Sequence, residues 1–354
     1  MSNDRFAGLD VHAETTTCVV LDDKGNFVMK TIVKTSGEAL LSLVKGMSGS
    51  VQLTFEEGTH AAWLYDLLRP HVAKLVVCNP RKNVRHSENK SDRVDAEQLA
   101  RWLRSGDLSP VYHGDDGTRV LKELVRGYEH VVDDRTRSSN RLKAIFRSRG
   151  LWTPGRDVYR AEEREEWLSL LDSEGLRLRA EWLYAQIELL GVLGGAAQDA
   201  VERESRKHRG CRLLQTVPGI GWIRAATIVA HVSTPFRFRT KRQFWSYCGF
   251  GVVTVSSSDW EMDGSQLVRK QQPVTTRGLN RKHNRHLKDA FKGAATTACS
   301  EGGVFRPHLG HLVASGMRKS MAKLTVARKI AATSLTMWKK GEKFDPDKAV
   351  IEKE

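Results

Sequence analysis

Phe6-Ala-Gly-Leu-Asp10-Val-His12 opens the chain with a short apolar run that closes on an acid, and the segments after it decide the fold. Thr15-Thr-Thr-Cys-Val-Val-Leu21 is β-branched and reads as a second strand. Asp22-Asp-Lys-Gly25-Asn26 is a turn, and Phe27 to Val33 makes a third strand, so the chain begins as a meander of hairpins. Ser36 then caps a helix that runs through Val44. Val51-Gln-Leu-Thr-Phe55 is a buried strand leading into Glu56-Glu57, and Ala61 to Leu68 is an amphipathic helix. Val72 to Cys78 is a further strand, ended by Asn79-Pro80. A basic loop follows, Arg81-Lys82-Asn-Val-Arg85-His86, and then a helix whose apolar stripe is Val94, Leu99, Trp102 and Leu103.

The order is βββ-α-β-α-β-α, that of a ribonuclease H-like (RuvC-like) mixed sheet with helices. In that fold, metal ligands lie on the first strand, at the end of the fourth strand and on the closing helix. Here those places hold Asp10, Glu56 or Glu57, and Asp92 with Asp95. Asp92 and Asp95 are three apart and share one face of a first helical turn. An isolated pair of this kind is ordinarily capping and dipole complementation. Likewise, Asp10 alone could end an edge strand, and Glu56-Glu57 could be a solvated helix start. Together the acids at these places favour a Mg²⁺ site, because hard divalent cations take carboxylate oxygens.

The 354 residues suffice for two or three domains. A hydrophobic fraction of 40% with mean hydropathy −0.44 describes a soluble globular chain. No run approaches the roughly eighteen apolar residues that span a bilayer, and Met-Ser-Asn-Asp-Arg5 is no signal peptide. The five cysteines are widely spaced and never Cys-x-x-Cys, which argues against disulfides or a zinc site and for a reducing cytoplasm. An excess of 57 Lys+Arg over 42 Asp+Glu points to a polyanionic partner, nucleic acid rather than membrane.

From about Asp115 the pattern becomes long helices, with Val120, Leu121, Leu124, Val125 and Tyr128 at helical steps. After a break at Trp152-Thr-Pro154-Gly155 a second run carries Trp167, Leu171, Leu183, Ile187 and Leu190. The two read as an antiparallel arm, partly coiled coil, used for protomer contact or else as a plain intramolecular bundle. The final third concentrates charge. Val217-Pro-Gly219-Ile-Gly221 before Ala225 is a helix-hairpin-helix-like turn whose backbone N–H groups can receive a phosphate. In Phe236-Arg237-Phe238-Arg239-Thr-Lys241-Arg242-Gln-Phe244, basic residues alternate with aromatics that either stack on bases or belong to the core. Arg277-Gly-Leu-Asn-Arg281-Lys282-His-Asn-Arg285-His-Leu-Lys288 is denser still and reads as a phosphate-binding element. With Arg81, Lys82, Arg85 and Lys90, these form the expected nucleic-acid contacts. Ser256-Ser257-Ser258-Asp259 reads by composition as a loop, since no G-x-S-x-G elbow surrounds it. The expected organisation is a catalytic domain over 1–113, a helical arm over 114–205, a mostly helical C-terminal domain over 206–345, and a tail over 346–354.

Gly8-Leu-Asp10-Val-His12, Phe55-Glu56-Glu57, Asn89-Lys-Ser-Asp92-Arg-Val-Asp95-Ala96, Val217-Pro-Gly-Ile-Gly221 and Phe244-Trp-Ser-Tyr-Cys-Gly249-Phe250 follow in this order over nearly the whole chain. The set resembles the DEDD-type insertion-sequence transposases, the bridge-RNA-guided serine recombinase family. The resemblance implies a RuvC-like domain, a coiled-coil arm and a C-terminal transposase domain with a nucleophilic serine. It also implies Mg²⁺, with Mn²⁺ as a substitute. The partners would be DNA, a structured guide RNA and further copies of the chain in a dimer or tetramer, in a bacterial cytoplasm at the nucleoid. Carried over by position, the metal-binding tetrad is Asp10, Glu56, Asp92 and Asp95, with Glu56 preferred to Glu57 because it directly ends the apolar strand. The nucleophile falls in Ser256–Ser258, and counting from Gly249 gives Ser257, with Ser256 next. Two stretches depart from the family's pattern: Ser258-Asp259 replaces the usual glycine, and Thr276-Arg277-Gly278-Leu279-Asn280 replaces Ser/Thr-Lys-x-Gly-Asn. The alternative is a RuvC-type metal-dependent nuclease that cuts by activated water, with the serines as loop. A nucleic-acid-binding protein without catalysis predicts a broken acid set, and all four acids are present.

Overall fold

The computed structural model describes residues 4–80, 82–83, 92–113, 117–255, 260–263, 266–269 and 275–347. They fall into two compact units that divide between Asp115 and Asp116.

The first unit is built on one mixed sheet. Strands β1 (Asp4–Val11), β2 (Thr15–Leu21) and β3 (Phe27–Lys34) form the meander, and α1 (Gly37–Lys45) follows with Ser36 accepting from the Ala39 N–H as its cap. Then come β4 (Ser50–Glu56), α2 (Ala61–Leu68), β5 (Lys74–Cys78), α3 (Asp92–Ser105) and a short edge strand β6 (Pro110–Val111). The six-stranded sheet has the order β3-β2-β1-β4-β5-β6. β1, β4 and β5 run parallel, and β2, β3 and β6 join antiparallel. The last expected strand starts at Lys74 rather than Val72, because Arg69–His71 takes a 3-10 turn around Pro70. Both faces of the sheet are covered. Ala7, Leu9, Leu53 and Phe55 pack with α1 and α2 residues such as Leu40, Val44, Leu64 and Leu68. On the other face Val19, Leu21 and Phe6 pack with Ala96 and Ala100 of α3. β2 feeds both cores through alternate residues, which is why its sequence is continuously apolar.

The second unit begins with α4 (Arg119–Arg147), a short α5 (Arg164–Ser169) and α6 (Glu174–Ser205). The two long helices run antiparallel: Ser138 Oγ donates to Gln186 Oε1 at 2.9 Å, and a Cβ at Gly194 would meet Val131. The tip of the pair has its own core of Leu142, Phe146, Val158, Leu168, Ala180 and Tyr184. At the base, Leu121, Val125 and Val201 belong to a larger core, so apolar packing runs on across residues 205–206. That core is completed by α7 (Arg209–Leu214), α8 (Trp222–Val232), α9 (Lys241–Tyr247), α10 (Arg285–Ala298), α11 (Arg306–Ala314) and α12 (Lys319–Lys340). Between α9 and α10 the chain forms strands β7 (Val252–Val255), β8 (Trp260–Asp263), β9 (Gln266–Arg269) and β10 (Thr275–Leu279), paired β7 with β10 and β8 with β9. Of the three phenylalanines in the basic-aromatic stretch, Phe238 and Phe244 are core while Phe236 is 71% exposed. Among the described residues, no helix is long and apolar enough to cross a membrane. All five cysteines are free, and burial pushes the thiols of Cys18, Cys78 and Cys211 up to about 12.

Candidate metal centre and nucleic-acid interface

Parallel pairing of β1 with β4 sets Leu9 opposite Phe55. Asp10 and Glu56 each stand one residue beyond that last pair, side by side, and point away from the face that buries Leu9 and Phe55. That other face is the one α3 covers, for a Cβ at Gly8 would lie 2.1 Å from Ala96 O and 2.7 Å from Ala100 N. The direction of α3 follows from its far end, where Arg104 Nη1 donates to Asp23 O (3.4 Å) in the β2–β3 turn. α3 is therefore antiparallel to β1. Four helical residues from Ala96 back to Asp92 rise about 6 Å, and two strand residues from Gly8 to Asp10 advance about 6.6 Å. The first turn of α3 thus lies level with Asp10 and Glu56, at the carboxyl ends of the parallel strands. Asp95 is half-buried there, and of Asp92 only the backbone is described.

Local contacts separate the two glutamates. Glu57 Oε2 lies 2.6 Å from His113 Nε2, and the His113 ring tilts over Tyr65 at 5.1 Å. Glu57 is tied to the end of the domain, while Glu56 closes β4 opposite Cys78. The Cys78 thiol is raised first by burial and next by the Glu56 charge, which puts that carboxylate near the end of β5. Asp10 accepts from His12, with Nε2 3.2 Å from Oδ2. Carboxylates at one level of the sheet offer oxygen ligands of the kind a hard divalent cation takes.

Other expected residues divide sharply. Ser256, Ser257 and Ser258, with Arg81, Arg85 and Lys90, lie outside the described residues, as does the Arg277 side chain. Lys82 is exposed, with its N–H turning back onto Asn79 O at 3.0 Å. Gly219 has φ +82°, and a Cβ there would lie 2.2 Å from Ala294 O, so packing against α10 already requires glycine. Gly221 faces open space as the N-cap of α8. Arg237 donates to Val232 O at 3.0 Å and covers the rings of Phe238 and Tyr247, which makes it a brace within the fold. Arg239, Lys241 and Arg242 are exposed, as are Arg281, Lys282 and Arg285 at the start of α10. The loop holding the latter is fixed: Asn280 Oδ1 accepts from the Lys282 N–H at 2.9 Å, and its amide donates to Ser246 O at 3.2 Å. Arg285 also pairs with Asp133 at 2.5 Å.

The structure adds a cluster that no sequence spacing signals. Glu129 of α4, His231 of α8 and His286 of α10 bring ligand-type atoms within 4.8 Å of one another, close enough to share a cation. As arranged, these atoms are engaged with each other: Glu129 Oε1 is 2.9 Å from His231 Nε2 and 3.1 Å from His286 Nδ1. Asn284 Oδ1 caps α10 by accepting from the Leu287 N–H (3.1 Å), so its amide N–H₂ faces His231 Nδ1 at 3.0 Å. That assigns His231 the tautomer with the proton on Nε2, donated to Glu129. Burial lowers the pKa of His286, favouring a neutral ring stacked on His231 at 4.9 Å. The cluster ties three helices together at the base of the arm.

Two family models match the chain. Residues 7–148 match the DEDD transposase of IS110, and residues 211–306 match the transposase IS116/IS110/IS902 family. A Coxiella burnetii "Transposase for insertion sequence element IS1111A" is 22% identical over 178 residues, 49% of each chain. A Sinorhizobium fredii "Putative transposase y4qE" is 24% identical over 251 residues, 69% of this chain and 62% of the relative. The "Insertion element IS900 uncharacterized 42 kDa protein" of Mycobacterium paratuberculosis is 27% identical over 155 residues, 39% of this chain and 38% of its own. The matches span about half of the first relative and about six tenths of the second. The matched families, one mainly in each unit, and the first two relatives are transposases by their descriptions. Together they support an IS110-type transposase.

Proposed function

We propose that this protein is an IS110-type transposase that breaks and rejoins DNA at the ends of an insertion sequence, using Asp10, Glu56, Asp92 and Asp95 for metal binding and Ser257 as nucleophile. The observation that carries the reading is the shared level of Asp10, Glu56 and the first turn of α3 on one sheet face, within a segment that matches a DEDD transposase. The sheet then belongs to the RNase H and RuvC type. Mg²⁺, or Mn²⁺ in its stead, would be held by the four carboxylates and would supply charge stabilisation on the phosphate oxygens. Asp10 is paired with Thr17 in the β1–β2 ladder and Glu56 with Cys78 in the β4–β5 ladder, so their backbones hold position without reorganising during the reaction. The Ser257 hydroxyl is a poor nucleophile until its proton is removed. Its Oγ forms the bond to phosphorus as the bond to the leaving sugar oxygen breaks, and the phosphoserine ester conserves the bond energy for rejoining. The acids and the serine belong to different units of the chain. Exposed Arg239, Arg242, Arg281 and Lys282 would carry the sequence-independent phosphate contacts. A structured guide RNA is the further partner implied by the family.

The test is covalent trapping: protein, candidate guide RNA, labelled element DNA and Mg²⁺ are combined, denatured and run on a gel. Wild type is expected to give a protein–DNA adduct that both Ser257→Ala and Asp92→Ala abolish. Cleavage without an adduct, untouched by Ala at Ser256, Ser257 and Ser258, would leave a RuvC-type nuclease instead.

The assembly is proposed to be a homo-oligomer joined through the arm, partly as coiled coil. On α6, Leu178, Trp182, Ala185, Leu189, Val192 and Ala196 recur at steps of four and three along a face that α4 does not cover. Trp182, Leu189 and Val192 are 66%, 60% and 73% exposed. A self-complementary stripe of this kind suits a two-fold contact. The double variant Trp182→Glu/Leu189→Glu should run as monomer in light scattering where wild type runs as dimer or tetramer. An unchanged mass would exclude the stripe as the contact.

A further inference from the structure

In the second unit, helices α9 and α12 and the segment after α12 line a cleft of about 480 Å³ that does not include the cationic loop before α10. One wall is Trp245, held rigidly: its Nε1 donates to Arg328 O at 2.9 Å, and the Arg328 guanidinium lies 5.6 Å over its ring. Arg328 is fixed in turn by donating from Nη2 to Phe250 O at 2.8 Å. Lys241 reaches the same ring, with Nζ 5.6 Å from the centroid. The floor is one face of α12, where Ala332, Thr333 and Thr336 present small and hydroxyl groups. Lys329, Lys340 and Lys343 add to the charge, against only Glu342 and Asp345. The lining face from Thr325 to Lys340 extends about 22 Å at the rise of a helix.

Each feature asks for a part of the same ligand. Cations that outnumber the acids along a line attract a chain of phosphates. An aromatic wall held beside two cations offers an edge for an unpaired base and planar cations over which a base can lie. The Thr333 hydroxyl can donate to a phosphate or sugar oxygen, while Thr336 Oγ1 donates to Ala332 O at 3.0 Å and keeps its lone pairs toward the cleft. A duplex is too wide for a cleft of this volume, and its bases are stacked away from the wall. We propose that the α9–α12 cleft binds an unpaired nucleic-acid strand. The proposal stands on the cleft's own chemistry, and the cut-and-join reading adds only that such strands are at hand.

The test uses the full chain and fluorescent twelve-nucleotide probes of single-stranded RNA, single-stranded DNA and duplex DNA. In Lys329→Glu/Lys340→Glu the single-strand Kd is expected to rise at least about tenfold, and the salt slope to fall by about 1.4, at about 0.7 per lost phosphate contact. Duplex binding should change less than about twofold. Whichever single strand loses more identifies the sugar the cleft prefers. Photocrosslinking of bromouracil-substituted strands to wild type should map to residues 241–247 or 325–343, a readout that needs no variant. Unchanged single-strand affinity and slope, equal loss for duplex, or crosslinks wholly elsewhere would overturn the proposal. Trapping of the covalent adduct reports separately on the acid cluster and the serine, so the two readings fail independently.

Discussion

Asp10→Asn should lower Mg²⁺-dependent strand cleavage by about a thousandfold while DNA binding stays within a few-fold. The reason is the position of the carboxylate. It sits on one of the two central strands of the sheet, one residue beyond the Leu9–Phe55 pair as Glu56 is, and level with the start of α3. The amide keeps the shape and the hydrogen bond to His12 but removes the charge proposed to hold a cation. Charge stabilisation of a phosphoryl transition state by a bound metal contributes several kcal/mol, and each 1.36 kcal/mol is a factor of ten. In the proposed function binding belongs to exposed cations elsewhere, which the substitution leaves alone. The neighbouring glutamates sharpen the comparison. Glu56→Gln should resemble Asp10→Asn, whereas Glu57→Gln should cost far less, because Glu57 serves His113 at 2.6 Å. Equal and severe losses in both glutamine variants would move the ligand role to Glu57 or to the pair. Cleavage by Asp10→Asn at the wild-type rate would remove the tetrad from the mechanism.

Gly8→Ala is expected to have the largest effect on stability of any single methyl added to the first unit. The new Cβ would stand 2.1 Å from Ala96 O, a backbone atom that cannot turn aside as a side chain can. Either α3 lifts from β1 or the strand bends. Overpacking in a well-filled core costs about 1–3 kcal/mol and occasionally more, and a contact with helix backbone belongs at the upper end. About 3 kcal/mol in a unit of this size lowers its Tm by on the order of 10 °C. Because α3 carries Asp92 and Asp95, cleavage should fall together with stability, even at temperatures where the variant is folded. Thermal melting followed by cleavage assays well below the melting point separates the two effects. A variant with wild-type Tm would mean that the close approach of α3 is not what seats those acids.

The same contact illustrates what was readable in the chain. The alternation of β3, the doubly apolar run of β2, the Ser36 cap and the stripe on α3 are local patterns, so the element order followed from them. Glycine at position 8 is silent in such a reading, since its reason is a carbonyl oxygen eighty-eight residues away in the sequence. Arg237 and Gly219 were expected at nucleic acid on charge and turn chemistry. In the structure Arg237 also covers Phe238 and Tyr247, and Gly219 packs against Ala294. Sequence cannot tell a cation that braces the fold from one that faces a ligand, because both carry the same charge. Glu129, His231 and His286 were missed for the complementary reason. They have no spacing to recognise and meet only where α4, α8 and α10 cross.

By itself, then, the sequence determined the strand and helix order of the first unit, the long helices of the second and the basic character of the whole. Those depend on periodicity and composition, which are properties of neighbours in the chain. Only the tertiary structure decided which acids share a sheet face, which glutamate serves His113, and which lysines and arginines surround an open cleft. Those depend on register and helix packing, where a residue's partners are set by distance in space, and the chain between them carries no record of it.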